Sequence, residues 1–151
     1  MKAFTLIELL MVLGITAILA VFLIMSPLGF RSQQDLNLTV SEIMAALRNA
    51  QDNSISQESE SVWGIYFDNI NGSGFYDFFS GSGYSSTNIV SRSALRSSIK
   101  FVQPAVGASS TVIFSAVSGL PVASTTIIIA LREDPSSSRV ITINANGQIQ
   151  Y

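Results

Sequence analysis

Apolar and polar residues divide the chain into three parts. Residues 4–30 are almost entirely apolar, and Glu8 is the only charged residue among them. As an α-helix, residues 4–26 would be about 33 Å long, close to the thickness of the hydrocarbon core of a bilayer. We therefore predict a membrane-length helix, with a kink or local unwinding at Pro27 and Gly29, where helical hydrogen bonding is weakened.

Residues 31–56 have the period of an amphipathic helix. Apolar or small residues recur every three or four positions, at Leu36, Val40, Ile43, Leu47, Ala50 and Ser54. Charged residues occupy the other faces, so this stripe is expected to pack against the rest of the chain. A free, solvent-facing stalk is the alternative interpretation.

Residues 57–151 alternate short apolar runs with turn residues, which is typical of β-strands. The predicted strands are 62–67, 75–79, a weak one at 88–90, 99–102, 112–115, 125–131, 139–144 and 148–151. Asn146-Gly147 is typical of a hairpin turn between the last two. The predicted fold class is α+β: a long N-terminal helix, with a membrane half and an amphipathic half, packed by an antiparallel β-sheet head.

Residues 68–74 form the connection between the first two predicted strands. Their Asp, Asn and Gly residues are compatible with a turn or with a calcium-binding loop. The spacing does not fit the pattern D-x-[DN]-x-[DN]-G, and Asp68 is the only charged residue, so a turn is favoured.

Glu8 is the most informative single residue. An ionised carboxylate deep in a bilayer costs about 2.5–3.5 kcal/mol on insertion scales, and less near the interface. A plain anchor gains nothing from this cost, so we expect Glu8 to pair with a positive charge from another molecule. The alternatives are an acid that reaches back to the membrane interface and an ordinary signal sequence, although no small-residue cleavage site precedes Pro27.

The N-terminal sequence Ala3-Phe4-Thr5-Leu6-Ile7-Glu8-Leu9-Leu10 resembles the class III signal of type IV pilins and type II secretion pseudopilins. The resemblance implies that a prepilin peptidase removes residues 1–3 by cleavage between Ala3 and Phe4. It also implies N-methylation of the new Phe4 terminus. Glu8 would be the assembly residue that neutralises the terminal amine of a neighbouring subunit.

The same resemblance implies the partners and the location of the protein. It predicts a single-pass protein of the inner (cytoplasmic) membrane that later enters an extracellular or periplasmic filament, as a homo-oligomer or with other pilins. An assembly platform and an ATPase would act on it. The head is most similar to that of the H-type minor pseudopilins.

We therefore expect a structural subunit of a type IV pilus or pseudopilus. The alternative is a minor, tip or priming pseudopilin of a type II secretion system or DNA-uptake apparatus, acting as a binding module. The domains expected are the leader (1–3), the hydrophobic transmembrane and assembly helix (4–30), the amphipathic half (31–56) and the β-rich head (57–151).

Composition narrows the other possible functions. The chain has no His and no Cys, and its ten acidic and eight basic residues give a net charge of −2. No general-base or metal-binding arrangement can be assembled, so we predict no catalytic residues, no metal, no other cofactor and no enzymatic activity. A nucleic acid is not expected as a partner, because Arg92, Arg96 and Lys100 are better explained as a solvated strand edge than as a basic patch.

Overall fold

A computed structural model describes the backbone of residues 5–24 and 28–151, and the side chains of residues 5–20 and 31–151. The chain divides into two units, Met1–Arg31 and Ser32–Tyr151. Helix α1 spans Leu6–Ile24 and helix α2 spans Leu28–Ile55. The break predicted at Pro27 lies outside the described residues. Gly29 is helical as the second residue of α2, so the predicted unwinding does not include Gly29 itself.

Helix α1 continues through Gly14 without interruption. The side chains of residues 5–20 are all exposed. None of the helices in the described part of the chain is both long enough and apolar enough to span a bilayer. The predicted membrane segment, residues 4–30, includes positions 4 and 25–27, which lie outside the described residues.

In the described part of the chain, eight strands follow α2 and a short 3-10 turn at Glu58–Glu60. They are β1 (Trp63–Asp68), β2 (Phe75–Ser80), β3 (Ile89–Ala94), β4 (Ile99–Gln103), β5 (Ser109–Phe114), β6 (Thr125–Leu131), β7 (Ser138–Ile143) and β8 (Ile149–Gln150). Each corresponds to a predicted strand. The main differences are that β3 extends to Ala94 and β5 begins at Ser109, since the added residues are polar or small and lack an apolar alternation.

The described strands form two four-stranded antiparallel sheets. One has the order β3-β2-β1-β5 and the other β4-β6-β7-β8. Strand β1 is central in the first sheet, where Ile65 lies opposite Phe78 of β2 and Val112 of β5. The predicted α+β class with antiparallel pairing is confirmed. The division into two sheets was not predicted, because a local pattern identifies a strand but not its neighbours.

The core lies between α2 and the sheets. The six residues of the predicted stripe, from Leu36 to Ser54, are all buried. The five apolar members of the stripe belong to one cluster with apolar side chains from both sheets, such as Ile65, Phe67 and Ile141. The amphipathic prediction is therefore confirmed, and the alternative of a solvent-facing stalk is wrong for this part of α2.

Candidate functional site

Glu8 lies in the first turn of α1, where it forms a capping box with Thr5. The backbone N–H of Glu8 donates to Thr5 Oγ1 at 3.3 Å. In return, the backbone N–H and the hydroxyl of Thr5 donate to Glu8 Oε2 at 3.4 and 3.1 Å. This arrangement satisfies N–H groups that a helix start leaves unpaired, and a carboxylate is favoured there by the helix dipole. This local role was not predicted, although the T-x-x-E spacing indicates it.

The Glu8 carboxylate remains accessible to a second partner. Glu8 is exposed, and no basic side chain among the described residues forms an ion pair with it. Its contacts with Thr5 use Oε2 only. Ala3 and Phe4, the predicted cleavage and methylation positions, lie outside the described residues.

The surface around Glu8 is apolar and uncovered in the described residues. The large apolar side chains on all sides of α1 are 52–77% exposed: Leu6, Ile7, Leu9, Leu10, Met11, Val12, Leu13, Ile15, Ile18 and Leu19. A helix that is apolar on every face is typical of one buried in a membrane or among other helices. Helix α1 therefore has the surface of an element that needs an apolar partner.

A second polar site lies on the first sheet, where Tyr66, Asp77 and Arg92 are neighbours across β1, β2 and β3. The Asp77 side chain is fully buried and accepts two hydrogen bonds of 2.7 Å from Arg92, through Nε and an Nη atom. Tyr84 donates a third, at 2.6 Å, and its ring stacks on Tyr66 at 3.7 Å. These contacts tie the segment between β2 and β3 to the sheet.

The charges of this cluster shift its proton affinities. Burial would raise the pKa of Asp77, but hydrogen bonds from Arg92 and Tyr84 and the charge of Arg92 lower it below the usual range. Burial, with the hydrogen bond to Asp77 and its charge, raises the pKa of Tyr84 to about 12. Asp77 is therefore a carboxylate at neutral pH, and Tyr84 is protonated.

Two of the three basic residues that were considered as a patch, Arg92 and Arg96, form ion pairs within the fold. Arg92 pairs with Asp77, whereas Arg96 lies in the loop before β4 and binds Glu42 of α2 at 2.6 Å. Arg96 also donates to Thr39 at 2.9 Å. The prediction of a solvated strand edge is confirmed for Arg92, which is exposed on the edge strand β3, and Lys100 lies on the edge strand β4. The prediction is wrong for Arg96, which lies in a loop and binds α2, because sequence spacing does not reveal such a partner.

Comparison with solved structures relates this arrangement to a known fold. Matches include two crystal forms of the type IV minor pilin FimU from Pseudomonas aeruginosa, with TM-scores of 0.55 and 0.59. The chain has a pilin fold. Sequence identity is 19% in both cases, and the matches cover 76% and 80% of this chain and 90% of the FimU chain. No protein-family model and no curated protein matches the sequence.

The pilin fold confirms the expected architecture of helix and antiparallel head. At 19% identity the likeness shows the fold alone. The narrower resemblance of the head to H-type pseudopilins, and the processing of the first residues, stay predictions.

Gln51 is a structural residue of this pilin fold that the sequence analysis did not single out for a role. Its side-chain amide donates to the backbone oxygens of Gly119 and Gly147 at 2.8 and 3.0 Å. It thus binds the turn after β5 and the β7–β8 hairpin to the same helix. Both glycines have positive φ and lie against Gln51, so a side chain there would be strained as well as crowded.

Residues 69–74 form the predicted turn, whereas Asp68 is the last residue of β1. Asp68 Oδ1 accepts a hydrogen bond from the backbone N–H of Ile70, and the buried Asn69 amide donates to Pro104 O at 2.8 Å. The side chains of Asp68 and Asn69 therefore stabilise the backbone of this turn and of the segment after β4 by hydrogen bonding. Among the described residues, no three His, Cys, Asp or Glu side chains are grouped closely enough to share a metal ion.

Proposed function

We propose that this protein is a structural subunit of a type IV pilus. The observation that carries the proposal is the combination of a pilin-fold head with an uncovered apolar helix whose single acid lies in its first turn. A soluble monomer has no use for such a helix, whereas a filament buries it among the helices of other subunits. No catalytic role is proposed.

The proposed life cycle begins in the inner membrane. Residues 4–30 insert as a single-pass segment, supported by their nearly uninterrupted apolar sequence. A prepilin peptidase cuts between Ala3 and Phe4, and Phe4 is N-methylated. An assembly platform and its ATPase then move subunits into an extracellular or periplasmic filament. In water, the buried apolar helices hold the filament together at roughly 25 cal/mol per Å².

Within the filament, Glu8 is proposed to bind the terminal amine of Phe4 in a neighbouring subunit. The amine is largely cationic at neutral pH, and opposite charges attract strongly in an apolar surrounding. This attraction offsets the cost of burying the carboxylate. Because the capping box uses only Oε2, the same carboxylate can keep Thr5 and accept the neighbouring amine.

A minor subunit is the second candidate. The specific observation in its favour is that the matching solved structures are of a minor pilin. A tip or priming subunit, in a pilus, a type II secretion pseudopilus or a DNA-uptake apparatus, would use the same helix but occur in few copies. Quantitative mass spectrometry of purified filaments separates the two candidates, because a major subunit dominates the preparation.

The test of the proposal separates the charge of Glu8 from its capping role. Glu8→Gln keeps an acceptor for the capping box but removes the charge, and Thr5→Ala does the reverse. We expect Glu8→Gln to lower filament incorporation by more than about tenfold, since losing one partner of a buried ion pair costs several kcal/mol. Thr5→Ala should assemble nearly normally.

Sheared filaments and membrane fractions are measured by immunoblot for both variants. Equal amounts of each variant in the membrane show that insertion is intact. Normal incorporation of Glu8→Gln would contradict the charge pairing. Absence of the wild-type chain from every filament preparation would contradict the proposed function as a whole.

A further inference from the structure

A cleft of about 770 Å³ lies between the β1–β2 turn, the end of β3 and the loop before β4. Three arginines line it, Arg92, Arg96 and Arg132, and no carboxylate of the described residues does. We call it the arginine cleft. Phe75 and Ile99 add apolar surface, so the cleft offers both positive charge and a place for aliphatic groups.

Arg132 is the member of the arginine cleft whose charge is least compensated. Its guanidinium donates to the carbonyl oxygens of Ser97 and Ile99 at 3.2 and 3.3 Å. No carboxylate among the described residues forms an ion pair with it. Arg92 and Arg96, by contrast, have carboxylate partners that lie outside the lining of the cleft. Arg132 therefore keeps N–H donors for an external anion.

The same molecule carries an acidic turn at residues 57–60, directly after α2. Glu58 and Glu60 are exposed, and neither forms an ion pair within the described part of the chain. Gln57, Ser59 and Glu60 have φ values of 53°, 56° and 54°, which residues other than glycine rarely adopt. The indole N–H of Trp63 donates to the carbonyl oxygen of Glu58 at 3.0 Å, which fixes this projecting turn to the head.

The two surfaces lie at different positions along α2 within the unit Ser32–Tyr151, one beside the middle of the helix and the other after its C-terminal end. Arg96 contacts Thr39 and Glu42, whereas the acidic turn follows the last helical residue, Ile55. Sixteen residues of helix from position 39 to position 55 correspond to about 24 Å. Side chains of one molecule therefore cannot join the cleft to its own acidic turn.

We propose that the arginine cleft of one copy binds the acidic turn of the next copy. The inference rests on the proposed filament function and names the contact between successive heads. Carboxylates of Glu58 and Glu60 would be bound by the guanidinium of Arg132, a pairing whose planar geometry favours two parallel hydrogen bonds. A contact between different surfaces of identical subunits repeats without closing and so extends a filament.

Charge reversal tests the contact. Arg132→Glu alone, and Glu58→Arg with Glu60→Arg, should each lower filament yield by about tenfold, as expected for a modest ion pair at an interface. Combining all three substitutions in one chain should restore most of the yield. Arg48→Glu is the matched control: Arg48 is exposed on α2, forms no ion pair with a described residue, and undergoes the same change of charge.

Cross-linking provides a measurement that does not depend on charge. The natural chain has no cysteine, so Glu60→Cys with Arg132→Cys places the only two thiols at the proposed contact. A short bis-maleimide should convert filaments of this variant into a ladder of covalent multimers. The pair Glu60→Cys with Arg48→Cys should give no ladder.

The outcomes separate this contact from the proposed function. If the wild-type chain forms filaments but every charge-reversal variant assembles equally well, or the cysteine variant gives no ladder, the contact is overturned and the filament role stays intact. Absence of the wild-type chain from filaments would overturn both. The contact is also overturned if Arg132→Glu forms normal filaments but loses a binding of polyphosphate or DNA that wild-type filaments show. The arginine cleft would then be a site for a free polyanion. Trp63 fluorescence confirms that each variant is folded.

Discussion

The negative charges of two carboxylates, Glu8 and Asp77, are compensated in different ways. Asp77 is buried on β2 and is fully paired by Arg92 and Tyr84 within one molecule. Glu8 is exposed and has only its own helix start and Thr5 as partners in the described residues. The first is a structural charge, and the second is accessible to another molecule.

The Asp77–Arg92 pair gives stability a defined pH dependence. The pKa of Asp77 is lower in the folded chain than its unfolded value of about 3.9, so its stabilisation is complete above that pH and is lost as pH falls through the folded value. In Arg92→Leu the pKa of the buried Asp77 should rise instead. We expect this variant to be clearly less stable at neutral pH and the difference from wild type to narrow on acidification.

Denaturant unfolding of the full chain in detergent, followed by the fluorescence of its single Trp63, measures this dependence between pH 7 and about pH 3. Arg48→Leu serves as the control, since Arg48 is exposed and forms no ion pair among the described residues. A stability difference for Arg92→Leu that does not change with pH would show that packing, and not the charge of Asp77, is responsible.

At the scale of elements, α2 is the scaffold on which the head is built. Its stripe from Leu36 to Ser54 is buried by the sheets, and Gln51 binds two turns that are far apart in sequence. Ser54 adds a buried contact, accepting the backbone N–H of Trp63 at 2.8 Å where β1 begins. The helix thus sets where the first sheet starts and where the last hairpin closes.

Leu47 and Leu38 offer a matched test on this helix. Leu47 is fully buried, whereas Leu38 is 52% exposed. We expect Leu47→Ala to destabilise the chain by roughly 2–5 kcal/mol, the usual effect of removing a buried leucine side chain. Leu38→Ala should change stability by no more than about 0.5 kcal/mol. Similar values for both variants in denaturant unfolding would contradict the packing of α2 against the sheets.

At the scale of the whole molecule, the surface of the head is suited to water, whereas the surface of α1 is suited to an apolar environment. The head buries its own core and presents polar loops, while the apolar side chains of α1 are uncovered in the described residues. The proposed filament resolves this difference, because it exposes heads to water and buries helices. The proposed processing at Phe4 would supply the amine that this packing needs.

Mass spectrometry of the N-terminal peptide tests the proposed processing. Filaments sheared from cells should contain a chain that begins with N-methylated Phe4. Ala3→Gly, a change between small residues at the predicted cleavage site, should be processed to the same terminus and serves as the control. An intact Met1 in the assembled wild-type protein would contradict cleavage before Phe4.

Much of the fold could be predicted because its determinants are local. The three- and four-residue spacing from Leu36 to Ser54 identified the buried face of α2, and turn residues such as Asn146-Gly147 located the strand connections. The position of Glu8 in an apolar run likewise singled it out without any structure. By contrast, its capping box with Thr5 went unnoticed, although the spacing of the two residues indicates it.

The amino-acid sequence by itself therefore determined the helical or strand class of the described segments and singled out Glu8 as the candidate assembly residue. Helical period, turn chemistry and an isolated charge are properties of neighbouring residues. Only the tertiary structure decided the division into two sheets, the pairing of Asp77 with Arg92, and the pairing of Arg96 with Glu42. These features depend on which distant segments meet. Such contacts arise from packing of the whole chain, and no local pattern records them.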